Sequence, residues 1–226
     1  MRPSGRESIE HLRWSRINAI AMMSALLAAA TTREPAVIGV LGAVSFAVLL
    51  YRMRPAFRPS GFGLANAITT LRLLLTLGML VSGKDAPGSW LFLGALAIVT
   101  LDGVDGWAAR RFATAGEFGA RYDTAVDSLY TLALCALLHA RGTLGAWVLL
   151  AGAWHYFYVL VIFVFEARRE AKRSRLGATV FVALVSTMGA AFLLPAQWAA
   201  PLVGLAVALQ SASFLKSFWE CFGPAS

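Results

Sequence analysis

The chain has 226 residues, of which 58% are hydrophobic and only 14% are charged, against about a quarter in a typical soluble protein. A soluble fold of this length could not hide so much apolar surface, so the composition excludes an ordinary soluble domain and favours an integral membrane protein. The formal net charge of +8 falls in short clusters between apolar runs, which favours a membrane topology signal and anionic lipid headgroups over a nucleic-acid partner.

Eight apolar segments are candidates for membrane-spanning helices, which need about 20 mainly apolar residues each. None shows the alternation of a barrel strand, so we predict an all-α, polytopic membrane bundle. The first two segments are short and marginal. The predicted spans are residues 17–31, 35–51, 62–82, 89–109, 119–140, 144–165, 177–195 and 199–219.

The N-terminal segment allows two other interpretations. Residues 17–30 could be the apolar part of a cleaved signal peptide, but the long preceding segment with Glu7 and Glu10 argues against cleavage. Residues 8–16 could form an interfacial amphipathic helix, but two arginines fall on its apolar stripe, so we do not favour an interfacial helix there.

Basic residues cluster before the first predicted span and in the connections that follow an even number of spans. The other connections hold at most one basic residue each. By the positive-inside rule, both termini lie in the cytoplasm and the chain sits in the inner (cytoplasmic) membrane. The clusters are Arg2, Arg6, Arg13 and Arg16; Arg52, Arg54 and Arg58; Arg110, Arg111 and Arg121; and Arg168, Arg169, Lys172, Arg173 and Arg175.

The stretch 52–61 contains two prolines and a glycine, which interrupt any helix. It separates the first two spans from the last six. We therefore predict an N-terminal extension with two marginal membrane helices, residues 1–60, followed by a six-helix core, residues 61–220.

Four aspartates are concentrated around the connection between the fourth and fifth predicted spans. Asp102 and Asp105 are three residues apart and Asp123 and Asp127 four apart, so each pair shares a helix face. A hairpin folded about residues 113–116 would bring all four to roughly one to three turns from the loop. Such carboxylates repel one another unless a cation lies between them. Oxygen ligands favour Mg²⁺ or Mn²⁺, and four carboxylates suffice for two ions that clamp a pyrophosphate.

Small side chains on the same hairpin would let a bulky ligand approach the backbone. Arg110, one turn beyond Gly106, is placed to meet phosphate oxygens. Close helix packing is the alternative explanation for small residues, particularly Gly119, and an ion or proton pathway is the alternative for membrane aspartates. The small residues are Gly103, Gly106, Ala108, Ala109, Gly119 and Ala120.

Residues 102–127 resemble the signature of the CDP-alcohol phosphatidyltransferases, D-x2-D-G-x2-A-R-x8-G-x3-D-x3-D. All its fixed positions are matched, by Asp102, Asp105, Gly106, Ala109, Arg110, Gly119, Asp123 and Asp127. Asn66, Thr69 and Arg72 resemble the N-x2-T-x2-R segment of the family's first core helix. Ala65 stands where a proline often precedes that asparagine.

The resemblance implies a six-helix membrane fold over about residues 62–219. It also implies an enzyme of phospholipid biosynthesis that transfers a phosphatidyl group from CDP-diacylglycerol to an alcohol hydroxyl and releases CMP. Asp102, Asp105, Asp123 and Asp127 would bind two metal ions, and Asp127 or else Asp123 would be the general base. The implied cytidine diphosphate pocket consists of Asn66, Thr69, Asp105, Gly106, Ala109, Arg110 and Gly119.

The acceptor alcohol stays open. An acceptor that carries a phosphate needs further cations, for which Arg121, Arg168, Arg169 and Lys172 are candidates, although the 168–175 cluster could serve topology alone. The sequence DTAVDSL departs from the D-P-x-A-D-K version common in glycerol phosphate enzymes. Serine, glycerol phosphate, inositol phosphate and a second lipid all remain acceptors to test.

Two other functions also stay open. Within the same family, CDP-choline or CDP-ethanolamine could donate its headgroup to diacylglycerol. In a different class, a cation transporter could use the membrane aspartates, although its site is expected near the membrane midplane, whereas these aspartates cluster towards one side. We expect membrane lipids as partners, no nucleic acid, and allow for a homodimer.

Overall fold

The structure is a computed structural model that describes the backbone of residues 5–54, 62–111, 117–165 and 175–222, and the side chains of residues 10–54, 62–104, 118–165 and 176–222. The described residues form α-helices and contain no β-strand, which confirms the prediction of an all-α bundle. The helices are α1 Gly5–Thr32, α2 Ala36–Met53, α3 Leu64–Ser82, α4 Gly88–Arg111, α5 Glu117–Ala140, α6 Leu149–Val164, α7 Arg175–Ala190 and α8 Ala196–Phe222.

Helix α1 begins at Gly5, so residues 8–16 are helical and continuous with the first predicted span. The pattern of these residues fits poorly against a lipid surface, but α1 packs against α2, α5 and α6 instead. The buried Trp14 donates its indole N–H to the carbonyl oxygen of Ser45 on α2 at 2.8 Å, and Asn18 accepts a hydrogen bond from the Ser45 hydroxyl. Burial against protein therefore stabilises a helix that amphipathicity alone does not predict.

Helix α7 ends at Ala190, several residues before the end of the predicted span. Pro195 follows, and its carbonyl oxygen accepts hydrogen bonds from the backbone N–H groups of Trp198 and Ala199 in α8. The proline thus belongs to the start of the next helix, which is the position that its ring tolerates.

Four helical segments of the described chain are long and apolar enough to cross a membrane: α2 (Ala36–Met53), α3 (Leu64–Ser82), α6 with the short 3-10 helix before it (Ala146–Val164), and α8 (Ala196–Phe222). The apolar stretches of α4 and α7, Gly88–Val104 and Leu176–Ala190, are shorter. Large apolar side chains such as Val81, Trp90 and Leu205 are exposed on the outside of the bundle, where lipid would cover them. The chain is therefore an integral membrane protein.

Helix α5 forms the centre of the bundle. Every side chain from Ser128 to His139 is buried, and α5 contacts α1, α2, α3, α6 and α7. Helix α6 approaches closely at Gly152, where a Cβ atom would lie 2.9 Å from the Cα atom of Leu132. The two aspartates in the first half of α5 are therefore held by the most enclosed helix of the fold.

Helix α3 packs against both α4 and α5. Over the described residues α4 and α5 contact each other less, one direct link being the Tyr130 hydroxyl, which donates to the Ala95 carbonyl oxygen at 3.0 Å. Over these residues α4 and α5 are joined mainly through α3, which contributes Arg72 to the space between them. This placement decides the composition of the acidic site.

Candidate metal and substrate site

Three of the four motif aspartates lie together, one from α4 and two from α5. One carboxylate oxygen from each of Asp102, Asp123 and Asp127 lies within 4.8 Å of the others. Their side chains are 32%, 27% and 19% exposed, so the group is sheltered but can be reached. Asp105 lies on α4, but its side chain is outside the described part of the chain.

Arg72 of α3 reaches into the middle of this group, and its own side chain is only 1% exposed. Its Nη1 atom lies 3.0 Å from Oδ1 of Asp102 and 2.8 Å from Oδ1 of Asp123. Its Nη2 atom donates a hydrogen bond to Oδ1 of Asp127. A single guanidinium therefore serves as counter-ion to all three carboxylates.

The net charge of this cluster suits a divalent cation. With all three carboxylates ionised, one guanidinium would leave two negative charges in a partly enclosed space. Closely spaced carboxylate oxygens are the donor set that Mg²⁺ and Mn²⁺ prefer. The described residues thus fit a divalent metal. Arg72 supplies only part of the positive charge that the clustered aspartates require.

Arg72 was predicted only as part of the N-x2-T-x2-R segment, with no role in the site. Its position carried a signal, because an ionisable residue inside a segment as apolar as Leu64–Ser82 marks a functional site by default. The sequence could not show which aspartates it meets, since α3 lies about fifty residues before α5.

The first turns of α3 and α5 meet beside the acidic cluster. A Cβ atom on Gly119 would lie 2.9 Å from the amide oxygen of Asn66, whose amide nitrogen donates to the Phe62 carbonyl oxygen at 2.6 Å. Thr69 is buried one turn before Arg72, and its hydroxyl donates to the Ala65 carbonyl oxygen at 3.1 Å. Gly119 thus provides close helix packing, and it does so against another residue predicted to bind the nucleotide.

Gly103 follows Asp102 on α4 and is exposed, and an added Cβ atom there would meet no other atom within 4 Å. Several residues predicted to bind the nucleotide or an acceptor phosphate have side chains outside the described part of the chain. They are Gly106, Ala109 and Arg110 on α4, and Arg168, Arg169 and Lys172, which follow α6 in the sequence. Arg121 lies on α5 but lines a different cavity, between α5, α1 and α6.

Fold and site together define an integral membrane protein with an acidic, metal-competent centre at one end of a helical bundle. The family model for CDP-alcohol phosphatidyltransferase matches residues 62–210, which is most of the chain, and the chain belongs to this family. The predicted resemblance is thereby confirmed. No curated protein and no solved structure matches the chain.

Membership of the family makes the chain a membrane enzyme of phospholipid synthesis that acts on CDP-alcohol substrates. The family is generally dependent on divalent metal, and Asp102, Asp123 and Asp127 offer a place for one. The match begins after α2, so α1 and α2 precede the family region. The division at residue 60 and the homodimer stay predictions, and the family match does not support the homodimer.

Proposed function

We propose that the enzyme transfers a phosphatidyl group from CDP-diacylglycerol to the hydroxyl of an alcohol acceptor. The acceptor oxygen forms a bond to the phosphorus that carries diacylglycerol, the bond from that phosphorus to the bridging pyrophosphate oxygen breaks, and CMP leaves. The observation that carries the proposal is the grouping of Asp102, Asp123 and Asp127 around Arg72. Positioning and charge stabilisation account for most of the catalysis in such a reaction.

Asp102, Asp105, Asp123 and Asp127 would hold the metal, which we propose to be two Mg²⁺ or Mn²⁺ ions. When bound, these ions would neutralise the pyrophosphate of the donor and stabilise the leaving group. The partial exposure of Asp102 and Asp123 supports access of a substrate to this group.

Asp127 is our candidate for the general base, with Asp123 as the alternative. It is the least exposed of the three described carboxylates, and the hydrogen bond from Arg72 restricts its orientation. A base must lie within hydrogen-bonding reach of the proton that it removes, and a carboxylate held in one orientation meets that requirement with little reorganisation. Asp127 would accept the hydroxyl proton as the acceptor attacks.

Asn66, Thr69 and Gly119 are proposed to form part of the cytidine diphosphate pocket, together with Asp105, Gly106, Ala109 and Arg110. The close approach of Gly119 to the Asn66 amide supports this proposal, because it orients a hydrogen-bonding group beside the acidic cluster. Arg110 would bind phosphate oxygens through its paired N–H donors.

The proposed orientation places the site and both termini on the cytoplasmic side of the inner membrane. The distribution of basic residues supports it: Arg52 and Arg54 lie at the C-terminal end of α2, where Phe46 contacts Tyr122 near the start of α5. On that side the polar donor head reaches the site from the cytoplasm, while its lipid tails enter from the bilayer.

The proposal is tested with purified protein, CDP-diacylglycerol and Mg²⁺, adding radiolabelled serine, glycerol phosphate, inositol phosphate or a lipid alcohol one at a time. We expect metal-dependent release of CMP with one acceptor, whose labelled lipid product identifies it. A parallel reaction with CDP-choline or CDP-ethanolamine tests the alternative in which the headgroup of the donor is transferred to diacylglycerol. A cation transporter would release no CMP in any arm.

Variants locate the reaction at the acidic cluster. Asp105→Asn and Asp123→Asn should each abolish transfer while the protein remains folded in the membrane. Asp85→Asn is the matched control, because Asp85 is exposed in the connection between α3 and α4 and should keep full activity. Full activity in Asp105→Asn or Asp123→Asn would refute the metal-site assignment.

A further inference from the structure

Helices α1 and α2 precede the region that the family model matches, and the transfer reaction assigns them no role. They nevertheless pack against helices of the acidic site: α2 contacts both α3 and α5, and α1 contacts α5. One of these contacts reaches the residue next to a motif aspartate. The ring of Phe46 in α2 lies 6.1 Å, between centroids, from the ring of Tyr122, which directly precedes Asp123 in α5.

Tyr122 is completely buried, and rings from three different segments surround it. Phe46 meets its ring edge-on from α2, and Phe62 approaches from the residue before α3 begins its first turns. Phe118 stacks on it from the preceding turn of α5, at 5.6 Å between centroids. Aromatic pairs in such geometries are stabilising beyond the area that they bury, and close packing restricts the ring to one orientation.

The hydroxyl of Tyr122 links α5 to α3. It lies 3.0 Å from the hydroxyl oxygen of Thr70, and Thr70 donates its own hydrogen to the Asn66 carbonyl oxygen at 2.8 Å. Because a threonine hydroxyl carries a single hydrogen, Tyr122 is the donor in this pair. The first turns of the two helices are therefore joined by a directed hydrogen bond as well as by ring packing.

This bond lies between the two contacts that bring α3 to the acidic site. About one turn earlier, Gly119 of α5 approaches the Asn66 amide. Just after it, Arg72 of α3 pairs with Asp123 at 2.8 Å. The contacts follow one another in the same order along both helices, so a shift of α3 along α5 would change all of them. Fixing Tyr122 against α3 therefore fixes where Arg72 meets the carboxylates.

The ring of Phe46 is in turn held by α1. Trp14 packs edge-on against it at 5.4 Å between centroids, and the Trp14 indole N–H donates to the Ser45 carbonyl oxygen at 2.8 Å. Trp14 and Phe46 are 6% and 1% exposed, so this row of rings lies inside the bundle. A hydrogen bond ties each end of the row, to Ser45 in α2 and to Thr70 in α3.

We propose that α1 and α2 are a positioning element for the acidic site and that they act through Tyr122. Trp14 and Phe46 hold the Tyr122 ring. The Tyr122 hydroxyl fixes α3 against the start of α5 and so sets where Arg72 meets Asp123. Tyr122 is a positioning residue, because its completely buried side chain cannot reach a substrate. The gain for catalysis rests on the proposed transfer reaction, whereas metal binding can be measured without turnover.

The test measures Mn²⁺ binding to the full-length, detergent-solubilised protein by electron paramagnetic resonance, without substrate. Tyr122→Phe keeps the ring contacts and removes one hydrogen bond, so it should weaken Mn²⁺ binding about fivefold. Phe46→Ala removes the ring that α2 places against Tyr122 and should weaken binding about tenfold, as is usual when a residue that orients a metal ligand is lost. Asp123→Asn, which removes a proposed ligand, is the reference for damage to the site itself.

Each variant has a matched control. Ile38→Ala also truncates a fully buried apolar side chain of α2, about two turns before Phe46 and near the opposite end of the helix. It should lower the melting temperature as much as Phe46→Ala does and leave Mn²⁺ binding unchanged. Tyr158→Phe is the control for Tyr122→Phe, because the Tyr158 hydroxyl lies 3.5 Å from the Cys221 sulfur of α8 instead. A merely structural role of α1 and α2 would give Phe46→Ala and Ile38→Ala the same Mn²⁺ affinity.

Hydrogen–deuterium exchange in EDTA reports the same positioning without metal. Residues 64–72 and 118–127 should exchange severalfold faster in Phe46→Ala than in Ile38→Ala, because the first turns of α3 and α5 lose a shared contact. Equal Mn²⁺ affinity or equal exchange in these two variants would overturn the proposal. Weaker Mn²⁺ binding in Tyr122→Phe alone would overturn the role of α1 and α2.

Failure of this proposal is distinguishable from failure of the transfer reaction. The positioning role fails alone if the unmodified protein releases CMP and Phe46→Ala matches Ile38→Ala in Mn²⁺ binding. The transfer reaction fails alone if the variants differ as expected but no acceptor gives release of CMP.

Discussion

Replacement of Arg72 by methionine tests the balance of charge at the acidic cluster. At an effective dielectric constant of about 20, the attractions of Arg72 to Asp102 and Asp123, at 3.0 and 2.8 Å, are each worth about 5.5–6 kcal/mol, and the attraction to Asp127 is of similar size. Each of the three carboxylate repulsions, across at most 4.8 Å, opposes folding by at least about 3.5 kcal/mol. The guanidinium therefore offsets the mutual repulsion of the aspartates, and Arg72→Met leaves that repulsion unopposed.

The observed loss of stability should be smaller than the full repulsion, because the carboxylates can separate or take up protons. Breaking a buried ion pair by removing one partner costs about 3–5 kcal/mol. For a chain of this size that lowers the melting temperature by about 6–20 °C. We expect this decrease in EDTA, measured from tryptophan fluorescence during thermal unfolding of the detergent-solubilised protein.

Addition of Mg²⁺ should then stabilise Arg72→Met more than the unmodified protein, because the cation replaces the lost positive charge. A ligand present at one hundred times its dissociation constant stabilises the folded state by about 2.7 kcal/mol. Arg52→Met is the control: its pair with Glu10 is largely exposed, so it should cost at most about 1 kcal/mol and show no added dependence on Mg²⁺. Equal melting temperatures for Arg72→Met and the unmodified protein in EDTA would refute the reasoning.

Three further predictions follow from the contacts around the site. Gly119→Ala should lower the rate of CMP release about ten- to hundredfold by displacing the Asn66 amide, whereas Gly78→Ala, with open space around it, should not; equal rates would contradict the proposed pocket. Arg141→Met should lower the free energy of unfolding by about 2–4 kcal/mol without changing activity per folded molecule, because its Nη1 atom donates to three carbonyl oxygens of the α3–α4 connection. Chelation by EDTA should abolish CMP release and Mg²⁺ or Mn²⁺ should restore it; release without metal would exclude the metal mechanism.

Much of the acidic site was predictable from local spacing. Asp123 and Asp127 share a face of α5 because four residues make about one helical turn, and the structure places both beside Asp102. The role of Arg72 in the site was not predicted. Its position inside an apolar segment was apparent from the sequence, but its aspartate partners were not. The cavity at His11 was missed as well, because the sequence offered no sign that residues 8–16 face α5 and α6.

By itself the sequence determined the helical membrane class, the family, and the pairing of aspartates on helix faces. These properties depend on composition, on the period of the helix and on residues within one short stretch, so neighbouring positions suffice to specify them. Only the tertiary structure decided that α3 inserts Arg72 among the carboxylates and that α1 closes a polar cavity against α5 and α6. Both arrangements bring together residues from helices far apart along the chain, and such contacts depend on how whole helices pack against one another, which no local pattern records.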